Sequence, residues 1–144
     1  MFSTILLPID LTAETSWAKA APIAVKMAKD DGATLHVVTV VPDFGMSIVG
    51  TYFEAGFEQK ALHEIGEQLS SWMAEHVPAE IDAKPHVLHG SVYDQIISAA
   101  ENLDADAIVM GSHRPELSDY LLGPNAARVV RHAKQSVFVV RGDA

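Results

Sequence analysis

Asp10, Gly111, His113, Arg114 and Gly123 are the residues whose types and surroundings offer chemistry in this chain. Asp10 closes the mostly apolar run Phe2 to Ile9, so a carboxylate stands at the mouth of a hydrophobic segment, directly after Pro8 and Ile9. It can accept hydrogen bonds from ribose hydroxyls, or face a magnesium ion carried on nucleotide phosphates. Equally, it can cap the helix that follows, with Thr12 as a second cap candidate. Another run ends in Met110, Gly111, Ser112, His113 and Arg114. Arg114 either clamps a phosphate bidentately or is a solvated loop charge. His113 reads as a ligand contact or a loop hydrogen-bonder rather than a general base, because no nucleophile or partnered carboxylate stands beside it. Further on, Gly123-Pro124-Asn125-Ala126 opens a helical segment. Glycine at such a start lets an anion approach backbone N–H groups at the positive end of the helix dipole.

Other chemistries are excluded or disfavoured. The chain has no cysteine, so thiolate metal sites, cysteine nucleophiles and disulfides are ruled out. His36, His63, His76, His86, His89 and His132 lack HExxH or similar ligand spacing, so no transition-metal site is expected. Nineteen acidic against ten basic residues give a net charge of −9, the wrong sign for gripping nucleic acid or anionic lipid through the overall field. The N-terminus has no basic region, Pro8 and Asp10 interrupt its apolar run, and no stretch approaches a membrane span. A cytoplasmic protein is expected.

The elements that position these residues follow from periodicity. Phe2 to Ile9, Thr34 to Val41, Ala83 to His89, Ala105 to Gly111 and Ser136 to Arg141 read as strands, several without clean alternation. Continuous apolarity means both faces are covered, as in a parallel sheet under helices. Between them, Glu14 to Asp31, Glu54 to His76, Val92 to Leu103 and Pro124 to Ala133 have helical spacing, with a bend expected at Pro22. Strand and helix alternate, which predicts an α/β fold: an open, doubly wound, five-stranded parallel sheet with helices on both faces and right-handed crossovers. The 144 residues, 49% hydrophobic, suit one domain spanning 1–144. The crossover from Val41 to Gly56 mixes glycine with Met46, Ile48, Tyr52 and Phe53, and reads as a packed connection or a lid. In such sheets ligands bind outside the carboxyl ends of the strands where strand order reverses, which again singles out Asp10, Val40 and Gly111. Val40 and Val41 offer an apolar wall to a base, or are ordinary sheet core.

Taken together, the order and spacing of several stretches resemble the universal stress protein family. They are Ile5-Leu-Leu-Pro-Ile-Asp10, Ala33 to Val40, Gly90-Ser91, Ala105 to His113, Tyr120 to Ala133 and Ser136 to Arg141. The resemblance covers essentially the whole chain. It implies the adenine-nucleotide alpha-hydrolase-like fold, dimerisation and, in one branch, ATP binding without strong catalysis. That branch carries Gly, two residues, Gly, nine residues, Gly, then Ser or Thr. Here Gly111 matches, Arg114 replaces the second glycine, the loop before Gly123 is one residue short, and Pro124 replaces the hydroxyl residue. The chain is more similar to a branch with Ser-His-Arg-Pro and Leu-Leu-Gly motifs, also associated with adenine nucleotides.

The expected function is therefore a stress-response module binding ATP, ADP or AMP, with magnesium accompanying the nucleotide, read by a protein partner that the sequence does not name. The competing enzyme reading is a slow metal-dependent ATPase or nucleotidyl transferase in the same pocket, Asp10 holding metal and Arg114 stabilising phosphate charge. A flavodoxin-like carrier is suggested by the hydroxyl-rich loop Asp10 to Ser16, which lacks a phosphate-approaching glycine. A receiver module fails for want of an acidic pair after the first strand and a lysine after the last. A homodimer through the last strand is expected, since Val137, Phe138, Val139 and Val140 would otherwise form an apolar sheet edge.

Overall fold

Short runs of β-branched and apolar residues build one parallel sheet from β1 (Thr4–Pro8), β2 (Thr34–Val41), β3 (Ala83–His89), β4 (Ala107–Ser112) and β5 (Ser136–Arg141). The computed structural model describes residues 1–41, 57–112 and 123–141. Strand order is β3-β2-β1-β4-β5. The chain builds outward from β1 in one direction, then returns to its other side with β4, so the order reverses between β1 and β4. That reversal defines where two crossovers part at the carboxyl ends.

Alternation along β1 divides the core. Ile5 and Leu7 face a cluster with Leu35, Val37 and Val109, covered by α1 (Ala20–Asp31) and α2 (Phe57–His76). Leu6 faces Val38, Ile108 and Met110 under α3 (Val92–Asn102) and α4 (Gly123–His132). Ile5, Leu6, Leu7, Leu35, Ile96 and Ile108 are fully buried, each such side chain contributing about 1.5–3 kcal/mol relative to exposure. The doubly wound parallel sheet is thus present as expected. Among the described residues no helix is long and apolar enough to cross a membrane.

The first helix differs from its expected form. Instead of one helix bent at Pro22, a single 3-10 turn spans Glu14–Ser16 and α1 begins at Ala20, leaving Pro22 in the first turn. There the missing N–H has no intrahelical acceptor to lose, so proline delays the helix without bending it. Strand β1 is shorter than expected, although the Ile9 N–H still donates to the Val38 carbonyl at 2.8 Å. Strand β4 starts after Asp106, whose carboxylate accepts the N–H groups of Ser3 and Thr4 at 2.7 and 3.0 Å. The crossover from Pro42 onward, with its lid reading, lies outside the described residues.

Candidate functional site

At the reversal, β1 and β4 run side by side through Ile5 opposite Ala107 and Leu6 opposite Ile108. Their carboxyl ends deliver Pro8, Ile9 and Asp10 from one strand and Met110, Gly111 and Ser112 from the other. The side chains of Pro8, Ile9 and Met110 are buried, so these residues have only backbone to offer at this end of the sheet. Val40, at the end of β2, is half-buried against the α3 side of the core, so one side of it is available as a wall.

Asp10 is half-buried and organised by its own loop. Oδ1 accepts the Thr12 N–H at 2.9 Å and the Thr12 hydroxyl at 2.7 Å, an Asx-type turn. Neither residue caps α1, whose cap position is Lys19, without a side-chain cap bond. Among the described residues Asp10 Oδ2 has no partner, so this oxygen is the free acceptor at the end of β1. Ser16, which the sequence reading did not single out, fixes the loop. Its Oγ accepts the Asp10 N–H at 2.9 Å and its hydroxyl donates to the Asp10 carbonyl at 3.2 Å.

The same residue explains Gly111. A Cβ built there would collide with the Ser16 carbonyl oxygen and lie 3.0 Å from the Ser16 carbonyl carbon. Glycine at 111 therefore serves the close approach of the 3-10 turn to β4, a packing reason beside any approach of a ligand. Ser16 thus touches both rims of the site, through hydrogen bonds to the Asp10 backbone and a close backbone approach to Gly111.

Gly123 and Pro124 form the start of α4, as the helix-opening reading requires. Asn125 plays a structural part, because its Oδ1 accepts the Tyr93 N–H at 3.1 Å and so caps the first turn of α3. Ser91, at the cap position of α3, makes no side-chain cap bond, so Asn125 supplies it from another element. Arg128 then lies over the Tyr93 ring, 4.9 Å from its centroid. Ala126 is buried in the α4 packing and offers only backbone. His113 and Arg114 lie outside the described residues. Tyr93 and Arg128 were not legible as site neighbours, because only the α3–α4 contact brings them there.

A five-stranded parallel sheet is what the family resemblance implied, and this sheet reverses beside β1, with Asp10 at the end of that strand and a helix opening at Gly123. The family model for universal stress proteins matches residues 1–141. The chain belongs to the universal stress protein family. It is 38% identical over 144 residues to Universal stress protein G of Escherichia coli O157:H7, covering 98% of this chain and 100% of that protein. Among solved members of the fold, a universal stress protein in complex with cAMP superposes with a TM-score of 0.66 at 22% identity, covering 99% of this chain and 98% of that one. The Archaeoglobus fulgidus universal stress protein in complex with dAMP gives a TM-score of 0.63 at 19% identity, covering 95% and 96%. At these identities the likeness is one of universal stress protein fold.

Proposed function

We propose that this universal stress protein is a cytoplasmic, single-domain, homodimeric module that binds an adenine nucleotide between the carboxyl ends of β1 and β4 and signals its occupancy to a protein partner. The observation that carries this reading is Asp10, held by Thr12 and Ser16 at the strand-order reversal with Oδ2 unengaged among the described residues. A preorganised carboxylate oxygen there suits ribose hydroxyls, because it costs no reordering when it accepts them. The first turn of α4 supplies backbone N–H groups for phosphate, with Pro124 contributing none. Two relatives of the same fold hold cAMP and dAMP, both adenine nucleotides, which supports the adenine preference.

The module is read as a binder rather than an efficient catalyst, since the hydroxyls beside Asp10, those of Thr12 and Ser16, are tied into the loop as donors to Asp10 Oδ1 and to the Asp10 carbonyl. Calorimetric titration with AMP, ADP and ATP, with and without magnesium, tests it, alongside mass spectrometry of small molecules released on mild denaturation. Saturable binding of at least one adenine nucleotide is expected. No binding by any of them overturns the reading, and magnesium-dependent turnover lost in Asp10→Ala would make the site an ATPase or nucleotidyl transferase instead.

A further inference from the structure

A separate cleft of about 630 Å³ opens between α2 and the segment following β1, and it shares no residue with the proposed nucleotide site. Glu64, Glu67, Trp72, Glu75 and His76 line it from α2, spaced so that successive helical turns present them on one side, and Trp17 lines it from across. Three rings meet pairwise at its floor. Trp17 and Trp72 are edge to face at 5.5 Å and 80°, while His76 lies 4.6 Å from Trp17 and 4.8 Å from Trp72.

The acids alone describe a solvated helix face, and the rings alone describe a satellite of the core. A further feature fits neither description. Trp72 is 6% exposed, yet its indole N–H is buried with no hydrogen-bond acceptor among the described residues, and the Trp17 N–H is in the same condition. Buried donors in folded proteins are almost always paired, so the two indoles, closed off from water beside the cleft, are short of an acceptor. Its rim, meanwhile, has anions to spare: Glu67 pairs with His63 at 3.1 Å and Glu75 lies 3.8 Å from His76, but Glu64 has no ion-pair partner among the described residues.

Carboxylates and the faces of aromatic rings present the same negative sign to a guest. An anion is repelled by the rim, a bare metal ion gains little from an aromatic floor, and a neutral apolar guest leaves the carboxylates unused. The guest that uses both floor and rim is an organic cation, and with a turn of a ring that brings its N–H out to the cleft, an oxygen on the guest would answer an orphaned indole donor. We propose that this cleft binds a small alkylammonium ligand that also carries a hydroxyl or carbonyl oxygen.

The chain contains two tryptophans, and both stand in the cleft, so tryptophan emission, excited at wavelengths that the three tyrosines do not absorb, reports on this site. Choline chloride is the probe. It is compared with its neutral isostere, in which a tert-butyl group replaces the trimethylammonium, and with sodium chloride at equal ionic strength. A saturable change in emission is expected with choline, about tenfold weaker with the neutral isostere and absent with sodium chloride. In the double variant Glu64→Gln, Glu75→Gln, choline binding should weaken roughly threefold or more, with circular dichroism and melting temperature unchanged because both side chains are exposed. Equal responses to choline and its isostere, a choline response no different from that of salt, or full affinity in the double variant would each overturn the proposal. The isostere comparison needs only the wild-type protein, so it stands even if the variant folds poorly.

Discussion

Thr12 commits one oxygen of the Asp10 carboxylate to the loop while Ser16 fixes the Asp10 backbone, and among the described residues the other carboxylate oxygen has no partner. Asp10→Asn tests that division. The asparagine carbonyl can keep the two Thr12 bonds seen at Oδ1, while an NH2 group replaces the open oxygen and removes the charge. Affinity for magnesium-ATP should therefore fall by about tenfold, a loss typical of a hydrogen bond to a charged group, with a much smaller effect on melting temperature. Affinity within twofold of wild type with lowered stability would make Asp10 a structural residue only. Gly111→Ala tests the other contact of Ser16. The added methyl would push against backbone, which cannot rotate away, so urea unfolding should show a loss of about 1–3 kcal/mol. Unchanged stability would mean that the turn at 14–16 yields easily. At this scale the sequence showed which residues stand at the strand ends. It did not show the Ser16 contacts, which depend on how a turn folds back on two strands.

Elements were more legible where periodicity alone decides them. The bounds of β2, β3 and β5 coincide with those read from the sequence, because turn chemistry flanks each of them, although β3 itself mixes Lys84, Pro85 and two histidines with its apolar residues. The start of α1 was not legible, since both a kink and a delay satisfy the chemistry of Pro22. Contacts between elements were least legible. Asn125 caps α3 only because α4 packs beside it, and Asn125→Ala should cost about 0.5–2 kcal/mol by urea unfolding. A change near zero would show that water replaces the cap. Register likewise pairs β2 with β3 so that His36 Nδ1 lies 2.8 Å from His86 Nε2, a meeting that no spacing in the sequence announces. Burial holds both rings below the ordinary 6.5, helped for His36 by His86 and Lys84 against an opposing pull from Asp82, and for His86 by Lys84. The unfolded chain thus binds protons that the native pair resists. Their stabilising contribution is complete above about pH 6.5 and is lost as pH falls through the lower native values. Urea unfolding at successive pH values should show this decline, and His86→Gln, which keeps a hydrogen-bonding group but does not titrate, should flatten it. An equally steep decline in the variant would assign it to other groups.

For the whole molecule, the exposed apolar edge sets the question of assembly. Strand β5 pairs only with β4 among the described strands, and Phe138 and Val139 are 40% and 36% exposed on it, beside Val130 at 52% on α4. A second copy pairing there would cover the edge and the apolar side chains together. Light scattering should give a dimer for the wild type and a monomer for Val139→Lys. A dimer in both would move the interface elsewhere, and a wild-type monomer would remove it. The strand order also has a consequence for synthesis. Since β1 lies at the centre, its β2 side can pair early, but its β4 side must wait until the ribosome has added about a hundred residues, roughly 5–20 s at usual rates. Throughout that interval the nascent chain carries a strand whose Ile5, Leu6 and Leu7 are fully buried in the finished protein, with one row of its backbone donors and acceptors open. The order that creates a ligand crevice in the finished sheet thus creates an interval of vulnerability in the unfinished one, during which the growing chain depends on nothing else pairing with β1 before β4 arrives.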